Sequence, residues 1–307
     1  MKKLAATYGG VVLSMILWSF SFIWFKIANE TYLPLTIVFI RLAISVFLLT
    51  AYMLLTGNVT KMKKEDRKLF LLMALCEPFL YFIGESFGLT YVSATAGSVL
   101  ISTIPVFVIL GAWIFFGEKL RIINYAGIIL SFTGVLIFIV NKDGTLSFSI
   151  RGILLLSFAV ASAVGYNLIL SRLVGSYSPV FIVNVQNTIG ALLFLPVFLV
   201  SDFHQFINTP FSVRSFVPII ELSVFASCAA FILFAYSVRK IGISRANVFT
   251  NCVPILTATF SFILLGDKLT FQNIAGMFIV ITGLFMSQIN GRQKKTDTVF
   301  VLTGKTA

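Results

Sequence analysis

Long apolar runs alternate with short polar connections along the first 290 residues. Each run has about the 20 apolar residues that a helix needs to cross the hydrocarbon core of a bilayer. Charged or turn-forming residues bound every run, as expected of separate membrane-spanning helices. The pattern predicts an all-α integral membrane protein with ten transmembrane helices, at residues 8–28, 35–56, 69–89, 96–116, 122–140, 152–171, 180–200, 216–237, 246–265 and 271–289.

Composition narrows the chemistry that such a protein can perform. Hydrophobic residues make up 58% of the 307 residues and charged residues 11%, whereas soluble domains carry about 25% charged residues. The connections are too short for a soluble catalytic domain. One histidine, His204, and three cysteines set apart in apolar runs provide neither a two-histidine zinc site nor a Ser-His dyad. We therefore predict no enzyme, no bound metal and no cofactor.

The net charge of +12 would suggest a nucleic-acid partner in a soluble chain. Here the Lys and Arg residues lie mainly in the connections between apolar runs. With the N-terminus inside, seventeen of the 23 lie on one side of the membrane, five on the other, and Arg41 within a helix. Positive charge concentrates on the cytoplasmic side of membrane proteins. We expect no nucleic-acid partner, and a multi-pass protein of the inner (cytoplasmic) membrane with both termini in the cytoplasm.

The sequence contains an internal repeat. The fourth and fifth runs recur as the ninth and tenth with a constant offset of 149 residues. The matched pairs include Ser98 and Asn247, Ser102 and Asn251, Pro105 and Pro254, Gly127 and Gly276, and Gly134 and Gly283. Each half would hold five helices, an odd number, so the second half enters the membrane with the opposite orientation. We predict two inverted five-helix repeats, at 1–145 and 146–290, and a polar cytoplasmic tail at 291–307; inverted repeats are typical of transporters.

The repeated motif can be compared with known families through identifiable residues. These are Pro105, Gly117-Glu118-Lys119-Leu120, Gly127 and Gly134, their second copy with Asp267 in place of the glutamate, and Trp18, Pro34 and Arg41. Together they resemble the EamA family of the drug/metabolite transporter superfamily, over residues 8–290. The resemblance implies a ten-helix fold with a central cavity, and export or uptake of small metabolites, among them amino acids. Glu77-Pro78 and Glu85, in the third run, depart from the family pattern.

The fourth and ninth runs carry matched polar faces. Residues at i, i+4 and i+7 lie along one face of a helix. These are Ser98, Ser102 and Pro105 on the fourth run, and Asn247, Asn251 and Pro254 on the ninth. We predict that the four polar residues bind substrate at mid-membrane, with interhelical packing at roughly 0.6 kcal/mol each as the alternative. The two prolines are predicted hinges, because proline removes a hydrogen bond from the helix.

The third run carries two carboxylates inside an apolar segment. Glu77, Tyr81 and Glu85 follow one another at i+4 steps and share one helix face. A charge at the bilayer centre costs about 2.5–3.5 kcal/mol, so these side chains should face the protein interior. We predict that all three bind substrate, and two carboxyls on one face would suit a proton-coupled carrier or a site for a cationic amine. A charge pair between Arg41 and one glutamate is the structural alternative.

Aromatic residues make up 15% of the chain, and most of them suit lipid contact or core packing. Trp18 in the first run, and Tyr166 beside Asn167 in the sixth, lie in comparable regions of the two halves. Interfacial anchors lie at helix ends, whereas Trp18 and Tyr166 lie in the middle of their runs. We predict that these three residues line a cavity between the halves and contact substrate.

Glycines recur at seven-residue spacing on the fifth run, at Gly127 and Gly134, and on the tenth, at Gly276 and Gly283. Small residues on one helix face permit another helix to approach closely. We interpret these glycines as a scaffold contact or as the seam of a homodimer, and not as substrate contacts.

These features together predict a secondary transmembrane transporter, an exporter of small organic metabolites such as amino acids. It would work by alternating access, in which the two halves rock around a midplane cavity. The partners expected are the small-molecule substrate and the lipid bilayer. A channel-like facilitator and a non-transporting membrane scaffold are the alternative functions.

Overall fold

The computed structural model describes residues 2–57, 60–116, 121–140, 148–267 and 270–289, apart from the side chains of residues 2–5, 111–116 and 244. Every element assigned within these ranges is helical. The α-helices are α1 (Lys2–Ala28), α2 (Pro34–Thr56), α3 (Arg67–Ala74), α4 (Tyr81–Tyr91), α5 (Ala94–Ile101), α6 (Ile104–Phe116), α7 (Ile122–Ile139), α8 (Ile150–Leu173), α9 (Pro179–Ser201), α10 (Phe203–Asn208), α11 (Val213–Glu221), α12 (Phe231–Ile241), α13 (Ile243–Val248), α14 (Val253–Leu264) and α15 (Phe271–Ser287). The all-helical prediction is confirmed for this part of the chain.

Many of these helices join into apolar stretches of membrane-crossing length. Within the described residues, eight stretches are long and apolar enough to cross a bilayer: Ala6–Ala28, Pro34–Thr56, Lys64–Tyr91, Ile122–Ile139, Ile150–Leu173, Pro179–Ser201, Val213–Ile241 and Arg245–Leu264. Two shorter apolar stretches, Ala94–Leu110 and Phe271–Ser287, accompany them. The chain is therefore built as a multi-pass membrane protein. The turn at 117–120 and the tail at 291–307 lie outside the described residues.

Large apolar side chains remain on the surface of the helices. Phe47, Leu55, Ile122 and Val200 are 72–88% exposed. A soluble protein rarely leaves so many large apolar groups in water, whereas the hydrocarbon of a bilayer surrounds them at no cost. Charged side chains within the spans are instead buried inside the protein, as Arg41 is, with only 4% of its surface exposed.

Three of the membrane segments are broken beside a proline. The breaks lie at Leu75–Leu80, a wide π-type turn that contains Pro78, at 102–103, just before Pro105, and at Phe249–Cys252, a 3-10 turn just before Pro254. Proline lacks a backbone donor and its ring clashes with the carbonyl four residues earlier, which explains why the regular helix fails in the preceding turn. A second wide turn, Leu222–Ala230, interrupts the segment between α11 and α12.

Helices that are distant in sequence pack together in a regular scheme. Helix α1 contacts α11, α12 and α14, while α4 contacts α8. Helix α2 packs on α9, α5 on α14, and α7 on α15. The buried core follows the line where α1, α2, α4, α8 and α12 approach one another. This arrangement brings the polar residues of the broken segments toward the centre of the bundle.

Glycines hold α7 and α15 in close contact. A Cβ on Gly127 would lie 2.3 Å from the backbone nitrogen of Ser287, and a Cβ on Gly283 would lie 2.3 Å from that of Ser131. Cβ positions on Gly134 and Gly276 would come within 2.5 and 2.9 Å of backbone atoms of the facing helix. All four glycines therefore face a helix of the same chain, so the geometry favours the scaffold interpretation over a dimer seam.

The variant Gly283→Ala is expected to lower the thermal unfolding midpoint of the protein in detergent. Its Cβ would meet the backbone of α7, and such overpacking typically costs about 1–3 kcal/mol. The matched control is Gly9→Ala, because a Cβ at Gly9 meets nothing within 4 Å and alanine is the better helix former. Equal midpoints for the two variants would contradict the close packing of α7 on α15.

Candidate functional site

A cavity of about 90 Å³ lies where α1, α2, α4, α5, α8 and α12 meet. One water needs roughly 10–15 Å³ on a comparable measure, so the cavity has room for a small solute. Its walls are Trp18, Ser21, Phe22, Arg41, Glu77, Tyr81, Phe82, Glu85, Ile101, Ser102, Ile104, Ala163, Tyr166, Asn167, Phe231, Phe234, Asn247, Thr250 and Val253. The charged members are one arginine and two glutamates.

Most of the residues that the sequence marks for substrate contact line this cavity. They are Trp18, Glu77, Tyr81, Glu85, Ser102, Tyr166, Asn167 and Asn247. Two of the marked residues, Ser98 and Asn251, do not line it and are fully buried. The Ser98 hydroxyl donates to the carbonyl of Thr95 at 2.7 Å, and the Asn251 Oδ1 accepts from Gln288 at 3.1 Å. For these two residues the packing alternative describes the observed contacts.

Glu77 enters the cavity from the break between α3 and α4. Its backbone is extended, with φ −146° and ψ 121°, inside an otherwise helical segment. Helix α9 makes room for this break, because a Cβ on Gly190 would lie 2.2 Å from the ring of Pro78. The predicted i+4 ladder from Glu77 to Glu85 is therefore interrupted at its first step, although both carboxylates still reach the same cavity.

Glu85 and Tyr81 form the regular part of that ladder on α4. The Tyr81 hydroxyl donates a hydrogen bond to Glu85 Oε1 at 2.9 Å. Both side chains are buried. A carboxylate that accepts a hydrogen bond keeps one of its interactions when it leaves water, so Glu85 has an internal partner.

Arg41 reaches the cavity from α2, but it does not make the predicted charge pair by direct contact. Among the described residues, the ion pair within 4.0 Å joins Arg214 and Glu30 instead. The Arg41 Nε donates to Ser227 at 2.9 Å, and the guanidinium lies 4.2 Å from the ring centroid of Phe82. Stacking on an aromatic face suits the planar guanidinium. Helix packing thus holds Arg41 near the glutamates without a salt bridge.

Aromatic rings form one wall of the cavity. Trp18 contacts Phe231 and Phe234, with ring centroids 5.1 and 5.0 Å apart. Tyr166 meets Phe231 edge to face at 6.2 Å. These are ordinary aromatic packing distances, and they make this wall rigid and apolar.

Two amides, Asn167 and Asn247, also line the cavity. Asn247 donates to Asn167 Oδ1 at 3.4 Å, and Asn167 donates to the carbonyl of Ala163 at 2.8 Å. The two asparagines come from α13 and α8, which the sequence separates by 80 residues. The cavity therefore combines charges, rings and amides from distant segments.

Several cavity residues could not be predicted from the sequence. Phe82, Phe231 and Phe234 belong to a chain with 33 phenylalanines, so nothing in the sequence distinguishes them from lipid-facing or core rings. Thr250 precedes Asn251 of the predicted polar face by one residue, and it lines the cavity from the 3-10 turn. Ser227, which accepts a hydrogen bond from Arg41, could not be predicted either. A serine in an apolar run usually donates a hydrogen bond to a carbonyl of its own helix.

Asp202, in the connection after α9, fixes the start of α2. Its Oδ2 accepts hydrogen bonds from the Thr36 backbone N–H at 3.0 Å and from the Thr36 hydroxyl at 3.3 Å. The first turn of a helix has free N–H groups that favour a carboxylate. Burial raises the pKa of the Asp202 carboxyl above its ordinary value, and the bonds from Thr36 oppose this rise. The contact anchors the helix that carries Arg41.

A bundle of apolar helices with charged side chains around an internal cavity has the construction of a membrane transport protein. The model of the EamA-like transporter family matches residues 6–140 and again residues 150–288. The chain belongs to this family, which confirms the resemblance carried by the repeated motif.

Relatives along the full length carry transporter names. An uncharacterized transporter of Archaeoglobus fulgidus is 27% identical over 287 residues, which cover 92% of this chain and 97% of the relative. The uncharacterized transporter YcxC of Bacillus subtilis is 27% identical over 296 residues, 92% of this chain and 94% of its own. A solved crystal structure shares the fold with a TM-score of 0.68 at 14% identity, over 93% of this chain and 98% of that one. The protein is thus a membrane transporter by family.

Cysteine labelling separates the two serines of the predicted polar face. In a variant whose native cysteines are replaced by alanine, Ser102→Cys is expected to react with a small methanethiosulfonate reagent, because Ser102 lines the cavity. The matched control, Ser98→Cys, lies one turn away and is fully buried, so it should react at least tenfold more slowly. The rates are measured by mass spectrometry of the protein in membranes. Equal rates would contradict the position of the cavity.

Proposed function

We propose that the protein is a secondary transporter that exports small organic metabolites, such as amino acids, by alternating access. Two inverted five-helix halves, 1–145 and 146–290, would rock around the cavity. The observation that carries this proposal is the cavity itself, which is lined by charged side chains inside membrane spans and by residues of both halves. Charged groups at that depth are costly and mark substrate or ion pathways.

The helix distortions support the inverted repeat. The wide turn Leu75–Leu80, moved by 149 residues, falls at 224–229, inside the wide turn Leu222–Ala230. The break at 102–103, moved by the same offset, falls at 251–252, in the 3-10 turn Phe249–Cys252. Corresponding segments of the two halves are thus distorted at corresponding positions.

The contact between α7 and α15 supports the opposite orientation of the halves. Asn124, near the start of α7, donates to the carbonyl of Ser287 at 2.8 Å. Asn273, near the start of α15, donates to the carbonyl of Phe138 at 3.3 Å. Asn124 and Asn273 correspond to each other at the 149-residue offset, and so do the two acceptor residues, Phe138 and Ser287. A reciprocal contact of this kind is expected when two copies of one unit pack about a two-fold axis.

Alternating access would use the breaks beside Pro105 and Pro254. A break in a spanning helix frees backbone groups and is tolerated where it lies inside the protein or lines a cavity. Both breaks adjoin cavity residues, Ser102 on one side and Thr250 on the other. We propose that these two prolines mark the points where the halves bend as the cavity changes sides.

Proton coupling is part of the proposal. The cavity holds Glu77, Glu85 and Arg41, a net charge of −1 when all three are ionised, with Tyr81 bonded to Glu85. A transporter opens its cavity to the other side of the membrane more easily when the cavity carries no net charge. A proton bound to a glutamate removes the net charge. The membrane would be the inner membrane, with both termini in the cytoplasm, because of the distribution of Lys and Arg.

Counterflow in proteoliposomes tests the transport mechanism. Vesicles loaded with unlabelled amino acids are expected to take up labelled amino acids with a saturating dependence on concentration, because a carrier must reorient after each binding event. Protein-free vesicles give the background. A linear, non-saturating flux would contradict alternating access and favour a channel-like facilitator, and the absence of any flux would favour a membrane scaffold.

The variant Glu85→Gln is expected to abolish the pH dependence of counterflow between pH 5 and 8. The glutamine amide has the same shape but cannot take up the coupling proton. Its side-chain oxygen can still accept the hydrogen bond from Tyr81. Glu65→Gln is the matched control, since Glu65 is exposed in the connection before α3. A pH profile that stays unchanged in Glu85→Gln would place the coupling proton elsewhere.

A further inference from the structure

We infer that the cavity binds the protonated amino group of an organic amine, held by Glu77 and Tyr166, with the apolar part of the ligand against the ring of Trp18. This inference rests on the proposed transport function and replaces amino acids, the example given there, with organic amines as the preferred substrates. It assigns recognition to a positively charged head group and not to a carboxylate.

Glu77 is the first observation. Its side chain is only 7% exposed, it lines the cavity, and it makes no hydrogen bond or ion pair with the described residues. A carboxylate removed from bulk water is unfavourable unless it is paired. The break in the helix at Glu77 directs this unpaired group to the space that a solute can enter. Besides a proton, a positively charged group of the ligand can supply the missing partner.

The other two charged groups of the cavity already have partners in the protein. Glu85 accepts the hydrogen bond from Tyr81. Arg41 is held by Ser227 and by stacking on Phe82. Glu77 is thus the charged group of the cavity without such a partner among the described residues. A ligand carboxylate would enter a cavity that is already negative.

Tyr166 supplies a second unsatisfied acceptor from the other half. Its hydroxyl is buried and completes no hydrogen bond within 3.5 Å, although it interacts with the side chain of Gln186. Tyr166 and Glu77 line the same cavity. A primary ammonium has three N–H donors and can bond both groups. A quaternary ammonium has none.

The apolar wall completes the site. Trp18, Phe231 and Phe234 form a packed ring cluster on the cavity surface. Aromatic faces attract ammonium groups, Trp most strongly, by about 0.5–2 kcal/mol depending on desolvation. They also accept the hydrocarbon of a ligand. An amine with an apolar body therefore satisfies both kinds of wall.

Four compounds of similar size and different charge test the inference. Binding to the purified protein is measured by calorimetry with 2-phenylethylamine, phenylalanine, 3-phenylpropionate and 2-phenylethanol. The amine is expected to bind at least tenfold more tightly than each of the others. Equal affinity for the amine and the alcohol, or a preference for the zwitterion or the anion, would overturn the inference.

Variants of Glu77 and Tyr166 test whether these residues hold the ammonium group. Glu77→Gln should weaken amine binding at least tenfold and leave binding of 2-phenylethanol unchanged, which also reports that the variant is folded. The matched control Glu65→Gln, at an exposed position, should bind the amine as the native protein does. Tyr166→Phe should reduce the preference for the amine over its N,N,N-trimethyl derivative, because only the bond to Glu77 remains. Unchanged amine affinity in Glu77→Gln would overturn the assignment.

The inference and the transport function can fail separately. Counterflow of a neutral or anionic metabolite, without binding of the amine, would overturn the amine site and leave the carrier function intact. Tight binding of the amine that depends on Glu77, in a protein without counterflow of the amine, would support the site and contradict the carrier function.

Discussion

The bilayer offers no water to polar groups, and this constraint organises the whole structure. Hydroxyls in the spans satisfy it locally: Ser98 and Ser102 donate to carbonyls of their own helix at 2.7 Å. Arg41 satisfies it with Ser227 and the face of Phe82. Most buried polar groups of folded proteins find such a partner, so a group without one is informative where it lines a cavity. The Tyr166 hydroxyl is one of several buried groups without a hydrogen bond, Glu77 makes none with the described residues, and both residues line the same cavity.

The helices could be predicted from sequence because spanning length and hydropathy are local properties. The apolar stretches of the structure fall at the predicted runs. The breaks were only partly predictable, since a proline identifies where a helix weakens but not how the chain continues. At Pro78 the helix widens and Glu77 becomes extended, while the wide turn Leu222–Ala230 contains no proline at all. Both depend on the helices packed around them.

The charged residues of the site could be predicted from the sequence. Buried charge is so costly in a membrane that Glu77, Glu85 and Arg41 were visible in the sequence, and all three line the cavity. Helical periodicity misled at Asn251, because the 3-10 turn turns it toward Gln288. Phe231 could not be found, since rings that face lipid, core and cavity are chemically identical and only the tertiary packing separates them.

In the proposed repeat, the helix distortions recur at corresponding positions of the two halves, whereas the charged residues of the cavity do not. Pro34 at the start of α2 and Pro179 at the start of α9 are 145 residues apart. At this offset Arg41 corresponds to Gln186, and at the offset of 149 Glu77 corresponds to Ala226. The charges thus belong to one half and the amides to the other. In the proposed rocking motion, an ammonium group held between Glu77 and Tyr166 contacts both halves at once. Either half can then move away from the ligand while the other retains it, which is what a carrier requires to release substrate on each side.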